Sequence, residues 1–188
     1  MPDLFLPFPL ATFEFIKFST PTEDLIAAYE PNDRRKAASI IFANQFYGAN
    51  FPHVFKYRNA AGFAAPTNVP VLRYADVLLM RAEALNEINY PNTEALSLLN
   101  EIRNRAGLTT PKTFADYPSQ SALRIAIAKE RRVELAFEGH RWFDLLRTGT
   151  AISTLQGRYP SINANKLLYP FPQDQIDRNP NLKQNPGY

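Results

Sequence analysis

A mainly α fold, with a helical hairpin, further packed helices and long irregular loops, is predicted by three features of the 188-residue chain. The Pro-free span Val71 to Tyr90 places Tyr74, Leu78, Ala82, Leu85 and Ile88 at helical spacing. A second apolar period runs through Ala95, Leu99, Ile102 and Ala106 and stops at Gly107. A third stretch, Ser121 to Arg147, joins strong helix formers to charges that fall on its apolar stripe. At 45% hydrophobic and 21% charged residues, the chain has enough apolar side chains for one globular unit and too many for disorder.

The opening MPDLFLPFPLATFEFIKF is apolar, but Asp3 comes early, there is no basic start, and Pro2, Pro7 and Pro9 interrupt it. These features exclude a signal peptide, and the prolines forbid a helix before Leu10, leaving an extended, sheet-edge or poorly ordered segment. TEDLIAAYE then forms a short helix capped by Thr20 or Thr22, followed by the turn PNDRR and the segment Lys36 to Phe42. Asn44 to Phe63 is loop-like and aromatic, with VFKYR as a short strand.

Pro91, Asn92 and Thr93 supply the turn and N-cap between the next two helices, making them an antiparallel hairpin. Small residues at Ala82, Ala84 and Ala95 give the pair the look of a tetratricopeptide unit. A lone hairpin cannot bury its faces, so the Ser121 helix stacks on it or part of a longer array lies outside the chain. In that helix Leu123, Ala126, Ile127 and Phe137 share a face with Glu130, Glu134 and Glu138. Gly139 bends the chain into a helical hook, HRWFDLLR, that ends at Gly149, with Trp142 anchoring it in the core. Tyr159 to Tyr188 holds five prolines and five asparagines and reads as an irregular strap. Its Tyr169, Phe171, Ile176 and Leu182 would dock at intervals onto helices.

The net charge of +3 is small, and basic and acidic residues are interleaved, so no nucleic-acid partner is implied. No cysteine is present, which removes disulfides and thiolate metal sites but leaves the compartment open. There is no apolar run near the roughly 20 residues of a membrane-spanning helix. No metal or cofactor is expected: the two histidines are His53 and His140, and Glu138-Gly-His140 lacks the Glu-x-x-His spacing that puts ligands on one face.

Carboxylates at i, i+4 and i+8 repel one another unless cations face them. Glu130, Glu134 and Glu138 are therefore read with Arg131 and Arg141 as a structural ion-pair lattice, with Arg73, Arg81 and Arg103 as further candidates. The rival reading makes Glu130 and Glu134 the acid/base pair of a glycoside hydrolase, at about 6 Å between Cβ atoms. Those two side chains point the same way from one surface, whereas a glycosidase pair faces across a cleft. For ligand binding the candidates are Tyr47, Phe51 and Tyr57, set among Asn44, Gln45 and Asn50. Aromatic faces with amides suit oligosaccharide, although a loop packed down by its own aromatics has the same composition.

PTEDLIAAYEPNDRR, VLRYADVLLMRAEALNEI, LNEIRNRAGL, ERRVELAFEGHRWFDLLRTG and the ending YPFPQDQIDRNPNLKQNPGY resemble, in order and form, the C-terminal portion of SusD/RagB family proteins. The resemblance covers residues 21–188 as one domain and leaves 1–20 unmatched. It implies a surface-exposed outer-membrane lipoprotein that captures oligosaccharide or another nutrient and passes it to a SusC-like TonB-dependent transporter, and it implies no enzymatic activity. Members are longer and begin with a signal peptide and a lipid-acceptor cysteine, which this sequence does not show, so the chain is expected to be a C-terminal fragment. A structural or protein-binding helical scaffold is the alternative function.

Overall fold

The computed structural model describes residues 20–43, 51–56 and 70–188. The chain divides into two units, residues 1–138 and 139–188. The first begins with α1 (Glu23–Ala28), whose opening turn carries Glu23 and Asp24 where the helix dipole favours negative charge. Thr22 is its N-cap by position, but the cap bonds come from its carbonyl, which accepts from Leu25 and Ile26, and not from its side chain. Asp33 caps α2 (Arg34–Ser39) by accepting from the Arg35 amide at 3.0 Å.

Two strands follow, β1 (Ile40–Ala43) and β2 (Phe51–Val54), paired antiparallel with Ile40 opposite Val54 and Ala43 opposite Phe51. The expected strand VFKYR is displaced toward the N-terminus. Ile40, Ile41 and Phe42 offer a β-favouring partner that pairs no further than Val54, and Lys56 beyond it is drawn to carboxylates.

The hairpin is α3 (Tyr74–Ile88) and α4 (Thr93–Arg105), with the Asn92 side chain accepting from the Ala95 amide at 2.9 Å. Gly107, at φ 89°, ends α4 with a Leu108 amide bond to the Arg103 carbonyl at 3.0 Å. The third helix, α5 (Gln120–Glu134), is capped by Ser119 and stacks on both hairpin helices. Ala82, Ala95, Leu96, Leu99, Leu123 and Ile127 form the shared core, and Ala75, Leu78, Leu79 and Ile102 continue it. Burial of Leu99, Leu123 and Ile127 contributes about 1.5–3 kcal/mol each. Asn86 and Gln120 exchange side chain-to-backbone bonds at 3.1 and 2.7 Å, which fixes the register of α5 on α3. Tyr29, Ile40 and Val133 make a third cluster, closed by the Tyr29 hydroxyl donating to the Val133 carbonyl.

Helix α5 stops at Glu134, short of Glu138, because the chain turns through Phe137 at φ 66°. A left-handed non-glycine residue costs about 1–2 kcal/mol. Lys56 offsets that cost by donating to the Glu134 and Ala136 carbonyls at 2.9 and 3.2 Å.

The second unit contains α6 (His140–Arg147), entered through Gly139 at φ 83°, and α7 (Ala151–Leu155), which packs on α6. A 3₁₀ turn (Ala164–Leu167) and α8 (Gln173–Arg178) interrupt the tail. Of the four residues expected to dock, Tyr169 and Phe171 remain 73% and 39% exposed, whereas Ile176 and Leu182 are half-buried. Amide side chains give the tail its order instead. Gln184 accepts from the Phe171 amide at 2.8 Å and donates to its carbonyl at 3.0 Å, and Asn185 donates to the Tyr169 carbonyl at 2.6 Å.

Candidate functional site

The carboxylates of α5 and its following turn lie in the middle of a buried ionic network. Glu134, only 2% exposed, receives Arg35 on one oxygen at 3.0 Å and Arg73 on the other at 2.6 Å, with Arg105 also on that second oxygen. Glu130 accepts from Arg35 at 2.5 Å and from Arg103 at 3.4 Å. Arg35 also forks onto Asp33 at 2.9 and 2.7 Å, and Arg103 onto Glu30 at 2.8 and 2.9 Å. Glu138 takes Lys56 on one oxygen and Arg73 on the other, the latter at 2.7 Å. Among the described residues Glu30, Asp33, Glu130, Glu134 and Glu138 thus meet Arg35, Lys56, Arg73, Arg103 and Arg105, and Lys129 reaches Glu30 from the exposed side at 3.5 Å.

Environment separates the titration of these groups. Burial pushes the Glu130 carboxyl above the usual carboxylate range even with Arg35 and Arg103 beside it. Burial opposes ionisation of Glu134 too, but hydrogen bonds from Arg73 and Arg35 outweigh it and hold that carboxyl below the usual range. Glu138 is lowered in the same way, against burial, by Arg73 and Lys56. The Arg103 fork brings Glu30 down to about 2.

Of the residues proposed for the lattice, Arg131 pairs with buried Asp76 at 2.7 Å. Arg141 lies in the first turn of α6, in the second unit. Arg81 binds Glu94 on the exposed side of the hairpin. The cations that meet the glutamates come from α2, from the residue pairs flanking the loops and from α4. Reading the sequence alone missed Arg35, Lys56 and Arg105, since no periodicity links them to α5. The pair Asp33 and Arg35 in PNDRR, directly before the β-favouring run, was the available signal.

Chemically, both oxygens of Glu130 and of Glu134 are occupied by guanidinium groups, which leaves neither free to move a proton onto a substrate. The network ties described residues from several elements to α5. Arg35 precedes β1 and Lys56 follows β2, so both ends of the strand pair are tied to α5. Lys56 and Arg73 flank residues 57–72 and share Glu138. Tyr47 and Tyr57 lie outside the described residues. Phe51 opens β2, opposite Ala43.

A helical hairpin with a third helix stacked on it and a buried ion-pair network beside it belongs to the class of packed helical domains. The SusD family profile matches residues 50–164. SusD-like protein P2 of Formosa agariphila is 41% identical over 155 residues, covering 74% of this chain and 31% of its own length. A SusD superfamily protein from Parabacteroides distasonis superposes with a TM-score of 0.77 at 28% identity, covering 99% of this chain and 46% of that one. A laminarin-binding SusD-like protein superposes with a TM-score of 0.68 at 30% identity, covering 90% and 38%. The chain belongs to the SusD family, and it spans about a third or less of the curated relatives it matches.

Proposed function

We propose that this chain serves glycan capture in an outer-membrane nutrient-uptake system, working with a SusC-like TonB-dependent transporter. The observation that carries the reading is the likeness to a laminarin-binding SusD-like protein over 90% of the chain. The ion network supports it by anchoring the ends of the segments that hold Tyr47, Phe51 and Tyr57, the aromatic residues proposed to stack on sugar. A sugar site needs several such groups converging, so a chain covering a third of the family length supplies one wall and binds weakly.

Isothermal titration with laminarin and a panel of soluble glycans tests this. The expected result is weak binding that falls in each of Tyr47→Ala, Phe51→Ala and Tyr57→Ala. Binding that survives all three changes would place the site elsewhere, and glycan cleavage would overturn the non-enzymatic reading. Co-purification with a SusC-like transporter tests the partner. A purely structural scaffold is the second reading, favoured by the guanidinium saturation of Glu130 and Glu134, and it would bind none of the panel.

A further inference from the structure

We infer that Arg34 and Arg105 form a subsite for the acidic groups of an anionic oligosaccharide, one that carries uronate carboxylates or sulfate esters. The inference rests on the glycan reading and names the class of glycan.

Arg34 is a guanidinium that the fold places and leaves unused. It opens α2, and its amide donates to the Ala106 carbonyl at 3.0 Å. Its side chain lies along Gly107, where a Cβ would stand 2.9 Å from Nε, 3.0 Å from Cδ and 3.1 Å from Cγ. The bare Gly107 backbone thus gives the Arg34 stem a track across the turn that ends α4. A long side chain held in this way loses less freedom when a ligand arrives. Arg34 is exposed, and no carboxylate meets it among the described residues. Its neighbour shows the contrast: Arg35 forks onto Asp33 and also reaches Glu130 and Glu134.

Arg105 adds a second cation at the same end of α4, two residues before Gly107. Its side chain is 60% exposed and gives one nitrogen, Nη2, to Glu134 Oε1. That oxygen already takes Arg73 at 2.6 Å, and the other takes Arg35 at 3.0 Å. Three guanidinium groups around one carboxylate leave positive charge in excess, and Arg105 carries it toward solvent. Glu101, one turn earlier on α4, forms no ion pair with Arg105. A helix C-terminus favours nearby cations, which suits Arg105, but Arg34 comes from another element and is laid on a glycine.

The guanidinium fork selects the ligand, because its planar donors match two oxygens of a carboxylate or sulfate. At an exposed site salt screens a single small anion, whereas acids repeated along one chain engage both arginines together.

The test uses the whole chain and two matched pairs of probes, polygalacturonate with its methyl ester and dextran sulfate with dextran, in isothermal titration. At low ionic strength the acidic member of at least one pair should bind about tenfold or more tighter than its neutral counterpart, as a hydrogen bond between charged groups provides. Added salt should shrink the difference, and the responding pair tells carboxylate from sulfate. Arg34→Gln and Arg105→Gln should each lower that ratio severalfold. Lys183→Gln, the same charge change at an exposed residue of the second unit, should not. Arg105 touches Glu134, so if Arg105→Gln does not fold, Arg34→Glu takes its place. Equal affinity within both pairs, or binding of laminarin alone, overturns the inference and leaves the glycan reading standing. Binding to none of these glycans overturns both. An acidic preference lost equally in Lys183→Gln overturns the inference by assigning the effect to net charge, and binding confined to phosphatidylglycerol vesicles overturns it in favour of a membrane surface.

Discussion

Lys56 and Arg73 meet on a single carboxylate, that of Glu138, and so bring together the two ends of the segment 57–72. Both cations are partly exposed while Glu138 is buried, so the acid is the fixed point and the cations carry the chain to it. Glu138→Ala should cost about 1.5–3 kcal/mol, the worth of hydrogen bonds to charged groups. Amide exchange should accelerate at Phe55, Lys56 and Arg73 more than in the α4 core. Uniform acceleration across α3, α4 and α5 would show that Glu138 supports the whole fold and holds no loop in particular.

Glu134 carries more. Three guanidinium groups converge on its side chain, and Lys56 and Arg73 also bind its carbonyl. Glu134→Ala leaves buried Arg35 without one of its acids, and removing one partner of a buried pair costs about 3–5 kcal/mol. A urea titration reads this as a lower midpoint with unchanged slope. An unshifted midpoint would contradict a structural role and return the glycoside hydrolase reading to consideration.

Much of this was legible in the sequence because helices announce themselves locally. The hairpin followed from the apolar period of Val71–Tyr90 and the Pro91-Asn92-Thr93 turn, and the Ser121 helix from its stripe. That Glu130, Glu134 and Glu138 require cations also followed, because carboxylates on an apolar stripe have no other solution. Which cations answer them did not follow. Arg35, Lys56 and Arg105 are brought in by tertiary packing, and Arg131, the nearest in sequence, pairs with Asp76 of α3. The end of α5 at Glu134 was equally hidden, since Phe137 adopts a left-handed conformation that its residue type does not favour. The one expected strand, VFKYR, starts earlier, at Phe51, and its partner Ile40–Ala43 was not foreseen, because pairing depends on residues distant in sequence.

Acid should unfold the first unit in a window set by Glu30, Glu134 and Glu138. All three carboxyls titrate lower folded than unfolded, so the stability they give is complete above the ordinary value of 4.5 and is lost as pH falls below it. For Glu30 the loss runs from 4.5 down to about 2. Glu130 acts oppositely: its raised carboxyl favours the folded state when protonated, and that contribution fades as pH rises through its folded value. Denaturation midpoints measured across this window should fall with pH, and less steeply in Glu30→Gln. An unchanged slope in that variant would show that the Arg103 pair does not govern acid stability.

The tail makes the last case, because its order depends on side-chain amides acting as backbone. Gln184 both accepts from the Phe171 amide and donates to the Phe171 carbonyl, so one side chain supplies the two bonds that a neighbouring strand would make. Asn185 donates to the Tyr169 carbonyl, the Tyr188 hydroxyl donates to the Leu168 carbonyl at 3.0 Å, and Lys166 lies 4.2 Å from the centre of the Tyr188 ring. These bonds are solvent-exposed, so each is worth about 0.5–1.5 kcal/mol. Gln184→Ala removes both Phe171 bonds and the one its side chain accepts from the Asn185 amide at 2.9 Å, and amide exchange at Phe171 and Asn185 should rise about tenfold or more, the factor that 1.4 kcal/mol represents. Gln184→Glu keeps the bond to the Phe171 amide but sets a carboxylate oxygen against the Phe171 carbonyl. It should therefore loosen the segment nearly as much as alanine at neutral pH and recover when the acid is protonated. Exchange at Phe171 that is indifferent to both substitutions would mean that the tail is ordered by something other than its amides.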